Sequence, residues 1–153
     1  MESYLLAWYF AANHTKTDAF DKRGKKGFVF TIGDEPCLKQ LPLSAVKSIM
    51  GDTAVGQATY SMENLLAAAQ AKNHVYHIHV NHGRNCDSKW KELLGQNLIE
   101  ITDRTTVSRV ISDIILSYAS QEVKSSGRPT GADVEKAPIY SDTVVSSVED
   151  NLL

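Results

Sequence analysis

The chain has 153 residues, 42% of them hydrophobic, and a formal net charge of −2. This length fits one domain with a tail, and the apolar content suffices for a core. The near-neutral charge argues against a broad nucleic-acid footprint or a basic membrane-binding face, and two cysteines, Cys37 and Cys86, are too few for a disulfide scaffold.

Two thiols fit a reducing cytoplasm. The apolar stretch 4–12 is shorter than the roughly 20 residues a membrane span needs, and no basic segment precedes it. The expectation is therefore a cytoplasmic protein without a membrane or nucleic-acid partner.

Residues 2–13 read as a helix with Ser3 as N-cap. Leu5, Trp8, Tyr9 and Ala12 recur on one helical face, which Leu6 and Phe10 widen. A long polar connection follows, carrying Lys22, Arg23, Lys25 and Lys26 and one aromatic anchor, Phe20. Its bases lack interleaved aromatics and read as a solvated loop.

The central feature is the stretch 25–36, KKGFVFTIGDEP. A short apolar run bounded by turn signals is the pattern of a buried strand in a parallel sheet. Residues 36–42 read as a loop and 43–50 as a short helix. Residues 59–72 read as a longer helix capped by Thr59, with Met62, Leu65, Leu66 and Ala69 on its apolar face and Asn73 after its end. A second strand runs over 74–80. A helix begins at Asp87 or Ser88 and is stopped by Gly95. A third strand covers 98–101, and Thr105 or Thr106 caps a last helix striped by Val107, Val110, Ile111, Ile114, Ile115 and Tyr118.

Strands alternating with helices predict an α/β fold, a Rossmann-like three-layer arrangement around a mainly parallel sheet. Three strands make only half of an ordinary doubly wound domain. From residue 124 the composition turns to Ser, Gly and Pro, so the domain is expected over 1–123 and a flexible tail over 124–153. Val144, Val145, Val148, Leu152 and Leu153 would make the end of that tail sticky.

Three groups of residues carry candidate chemistry. Asp34 and Glu35 follow the first strand, and in open α/β sheets ligands gather beyond the carboxyl ends of the strands. Carboxylate oxygens there suit Mg²⁺, with the Thr31 hydroxyl a neighbour; otherwise the pair is a polar turn. His77 and His79 share one face of the second strand and His82 follows it, a set that suits Zn²⁺. This run is similar to the HxHxDH signature of metallo-β-lactamase-type hydrolases, but Asn81 stands where that signature has Asp. The other reading is a pair of buried, hydrogen-bonded histidines. Cys37 or Cys86 could be paired with a histidine as a nucleophile, although no spacing fixes a base or an orienting group.

The stretch 27–35, GFVFTIGDE, resembles the fourth strand of von Willebrand factor type A (VWA) domains, where an apolar strand ends in an Asp turn. The matching Asp34 would belong to the metal-ion-dependent adhesion site. The helix 2–13, the strand 74–80 with Gly83, and 98–103 with the last helix are similar to the elements around that strand. The likeness covers residues 2–122. The family's Asp-x-Ser-x-Ser motif is absent from this sequence, so the resemblance is to the C-terminal half only, with a degenerate metal site.

The resemblance implies a non-catalytic protein-binding module within an oligomer or hetero-assembly, and a possible ATPase partner of the AAA+ type. An exposed parallel edge strand would need covering by self-association or by a partner. Trp8, Tyr9 and Phe10 are the expected interface. The alternative is a metal-dependent hydrolase using His77, His79 and His82 with Asp34 or Glu35.

Overall fold

The structure, a computed structural model of the chain, describes residues 3–51, 59–81 and 86–125. Within them the elements run α1 (Tyr4–Asn13), α2 (Asp18–Arg23), β1 (Gly27–Gly33), β2 (Gln40–Pro42), α3 (Leu43–Met50), β3 (Thr59–Ser61), α4 (Met62–Lys72), β4 (Asn73–Val80), α5 (Ser88–Leu94), β5 (Leu98–Ile101) and α6 (Val107–Ser125). By internal contacts the chain divides into two units, Met1–Ser117 and Tyr118–Leu153. The first holds the sheet. Of the second, only the helical residues up to Ser125 are described.

The protein is mixed α/β. β1, β4 and β5 form a three-stranded parallel sheet in the order β1-β4-β5. β1 and β4 pair in unbroken register, from Gly27 opposite Asn73 to Gly33 opposite His79. Parallel neighbours cannot be joined by a tight turn, so the chain crosses back over the sheet between them. α4 leads into β4, and α5 lies between β4 and β5.

Paired residues in a parallel ladder project to the same face. Val29 and Thr31 therefore share a face with Val75, His77, His79, Leu98 and Glu100. The core is built on this face. Leu5 and Trp8 of α1, Leu65, Leu66 and Ala69 of α4, and Trp90 and Leu94 of α5 cluster with Val75. The opposite face carries Phe28, Phe30 and Ile32 beside Tyr76, Ile78 and Val80. Phe28 and Phe30 stack with centroids 6.0 Å apart, and Phe30 stacks on Tyr76 at 5.5 Å.

Several local expectations are corrected. Residues 59–61 do not begin a helix. They pair antiparallel with Gln40–Pro42, and the Ser61 hydroxyl caps α4 by accepting from the Asn64 N–H. Three-residue strands are too short to show alternation in sequence. The polar connection contains α2, whose Phe20 N–H is met by the Thr17 hydroxyl and whose end is closed by Gly24 in the left-handed conformation, φ 65°. No residue of α2 is buried, so it has no apolar stripe to read. Ser3 precedes α1 without a side-chain cap bond. Asp103, rather than Thr105 or Thr106, opens the last helical segment by accepting from the Thr105 N–H, and a 3-10 turn leads into α6.

Among the described residues no helix is long and apolar enough to cross a membrane. The tail residues 126–153 lie outside the described residues.

Gly27 starts β1 where the buried Asn73 side chain crosses it. A Cβ at residue 27 would lie 2.9 Å from Asn73 Oδ1, while Asn73 Nδ2 is held by the Ala69 carbonyl at 3.1 Å. Gly27→Ala is therefore expected to destabilise the domain by about 1–3 kcal/mol. Urea unfolding at neutral pH measures this, and an unchanged midpoint would show that Asn73 yields freely.

Candidate functional site

Of the residues singled out from sequence, Thr31, His77 and His79 are buried in the sheet, whereas Asp34 is exposed. His77 sits in the central strand with 0% exposure. Its imidazole lies flat on the Trp90 indole, with centroids 3.9 Å apart and planes 8° from parallel. Tyr4 meets the imidazole edge-on at 4.8 Å and Trp90 edge-on at 5.5 Å. Trp8 meets Trp90 edge-on at 5.9 Å. The register brings Thr31 of β1 opposite His77. Thr31 Oγ1 lies 3.0 Å from His77 Nδ1 and donates to the Tyr76 carbonyl at 3.3 Å.

Which of the two atoms donates depends on the tautomer of the ring. Nε2 has no partner among the described residues. His79 is 2% exposed, and neither of its ring nitrogens has a hydrogen-bond partner among the described residues. The two imidazole centroids are 6.1 Å apart.

Burial and the neighbouring His79 lower the His77 pKa from 6.5 to about 4, against the opposing pull of a hydrogen bond to the Thr31 backbone. His77 is thus a neutral ring at pH 7. It is held by stacking and by hydrogen bonding to Thr31.

The same aromatic group fixes the turn after β1. The Glu35 amide donates to the Tyr4 hydroxyl at 3.4 Å, and the Glu35 carbonyl accepts from Trp90 Nε1 at 3.2 Å. Asp34 is exposed and Glu35 half-buried. The 34–35 turn is therefore fastened by its backbone to α1 and α5. Sequence reasoning placed Trp90 and Tyr4 on helices but missed this work. The only signal for it was the polar tip of each aromatic ring, which seeks a partner when buried.

Neither cysteine is an activated nucleophile. Burial, with Asp87 and Glu63 nearby, pushes the Cys37 thiol up to about 12. Burial and Glu100 push the Cys86 thiol up as well. Cys37 Sγ contacts the Leu38 carbonyl and Met62 Sδ, and Cys86 Sγ contacts the Asp87 carbonyl.

Among the described residues no group of three or more His, Cys, Asp or Glu side chains is arranged to hold a metal ion. The structure assembles two imidazoles, His77 and His79, whereas catalytic zinc sites use three protein ligands. His82 lies outside the described residues.

Of the three aromatics expected at an interface, Trp8 and Tyr9 are buried within the chain, and Phe10 is 49% exposed. Phe10 lines an apolar groove of about 630 Å³ with Ser3, Leu6, Ala7, Ile49 and Met50.

Compared with known proteins, the chain matches no family model, no curated protein and no solved structure.

The buried imidazole has a pH signature. The unfolded chain takes up the His77 proton near pH 6.5 and the folded chain only near 4. Protons therefore favour unfolding between those values. The contribution is intact above pH 6.5, is lost as pH falls towards 4, and does not grow below it. At about 1.4 kcal/mol per pH unit the loss is roughly 3 kcal/mol. Urea unfolding from pH 7.5 to 4 reads it, and His77→Gln should flatten that part of the profile. An NMR titration placing His77 near 6.5 would contradict this account.

Proposed function

We propose that the chain is a non-catalytic protein–protein interaction module, resembling the C-terminal half of a VWA domain, that acts within an oligomer or hetero-assembly. The observation that carries the reading is the outer edge of β1. Among the described residues β1 has a strand neighbour on one side only. Natural edge strands are blunted by charge, proline, bulges or short length. β1 has seven residues, GFVFTIG, with no charge and no proline, and its register with β4 is unbroken. Such an edge accepts another polypeptide by strand addition, in which main-chain hydrogen bonds supply affinity.

The site geometry supports the same reading. His77 is sealed under aromatic rings, and the 34–35 turn is held by its backbone. Asp34 remains exposed at the strand tip, where a degenerate adhesion site would meet a partner or a weakly held Mg²⁺. An AAA+ ATPase as partner follows from the family resemblance alone, and placement in the cytoplasm from the two thiols.

Ile32 tests the edge without touching the core, since it is 43% exposed. Lysine there is a natural edge-blocking residue. Ile32→Lys should keep its fold by circular dichroism and weaken assembly at least about tenfold, a change of roughly 1.4 kcal/mol. Light scattering and co-purification from the native cell read this. A wild-type protein that stays monomeric and recovers no partner would end the reading.

The unpartnered nitrogens of His77 and His79 favour a second reading, a metal-dependent hydrolase completed by His82 with Asp34 or Glu35. Its mechanism needs a bound ion to activate water. Protein purified without an affinity tag should then carry about one equivalent of Zn²⁺ by metal analysis. Substantially less removes this reading.

A further inference from the structure

We infer that the occupant of the β1 edge is a second copy of this chain, with the two β1 strands antiparallel about a two-fold axis centred on Phe30. This rests on the edge-pairing reading above and names its partner.

The argument is one of charge placement. β1 is uncharged, but charges flank it at once on both sides. Lys25 and Lys26 precede Gly27, and Asp34 and Glu35 follow Gly33. Both lysines are exposed, Asp34 is exposed and Glu35 is half-buried. A two-fold interface brings the same patch of both copies together, so it must be self-complementary. In the register centred on Phe30, the Gly27 end of one copy lies beside the Gly33 end of the other, which brings Lys25 and Lys26 of one copy towards the 34–35 turn of the other. The symmetry repeats this meeting of opposite charges at the far end of the strand. Parallel in-register pairing would instead set lysines against lysines and carboxylates against carboxylates.

Lys26 Nζ donates to the Gln70 carbonyl of α4 at 2.6 Å. One carbonyl uses one of its three protons, and a carboxylate can take another.

The apolar residues fit the same register. Phe30 meets Phe30, and the exposed Ile32 meets Phe28 of the second copy. This extends the row formed by Phe28, Phe30 and Tyr76 across the junction. Gly27 falls beside Gly33, so no side chain crowds either end of the pairing. The product is one sheet of six strands, β5-β4-β1-β1-β4-β5, with the two open β1 edges used on each other.

The test is a charge-reversal series on the full chain, read by sedimentation and light scattering across protein and salt concentration. Wild type should dimerise, and less tightly as salt rises. Lys25→Glu/Lys26→Glu alone, or Asp34→Lys/Glu35→Lys alone, should weaken the dimer at least about tenfold by setting like charges together. The variant carrying all four changes should dimerise with itself as wild type does but not with wild type. That rescue separates lost pairing from lost folding.

A wild-type monomer up to about 1 mM overturns the inference. So does a dimer indifferent to the single-end reversals. If the monomer still joins a hetero-assembly that Ile32→Lys abolishes, edge pairing stands and only the second copy falls. A dimer unaffected by Ile32→Lys and by every charge change overturns both.

Discussion

The stacking of His77 on Trp90 ties the sheet to its helices. One ring contact joins the central strand to α5, and Tyr4 and Trp8 bring α1 onto the same pair. Thr31 adds the neighbouring strand through Nδ1. The arrangement works only while the imidazole is neutral. A charged ring in this shell would be a buried cation with Nε2 unpartnered, and burial alone opposes that state strongly. The inward face of β4 thus trades an apolar residue for a polar one. It regains the cost through aromatic contact and one hydrogen bond.

From that anchor the rest of the strand-end region follows. Trp90 also donates to the Glu35 carbonyl, and the Tyr4 hydroxyl receives the Glu35 amide. The carboxyl end of β1 is therefore positioned by the same two rings that enclose the histidine. His77 is turned inward and capped, while Asp34 stands outside.

The sheet itself is lopsided. α1, α4 and α5 supply the core on one face, and the other face keeps an aromatic and aliphatic row that includes the exposed Ile32. Among the described residues the sheet ends at β1, whose interior residues, Phe28 to Ile32, are aromatic or β-branched. Seven uncharged residues between two lysines and two carboxylates form a segment whose electrostatic pattern reverses along its length. That pattern is what makes the segment complementary to its own inverse.

Much of this was legible in the residues. The apolar run 28–32, the continuous strand around His77 and the apolar stripe of α4 carry strong periodic signals, because burial of those side chains is local in its spacing. α2 and the β2–β3 pair were not legible, since α2 buries nothing and the strands are three residues long. Thr59 resembled a helix cap, but pairing with Pro42 moved the cap to Ser61. By itself the sequence determined an α/β chain of alternating elements, three parallel strands and an uncharged β1 framed by opposite charges. Only the tertiary structure decided that His77 lies sealed against Trp90 and that Trp8 and Tyr9 are core residues. Periodicity says which face a side chain takes. What covers that face is set by residues 31, 4 and 90, brought to His77 by pairing and helix packing across separations of up to 73 residues along the chain.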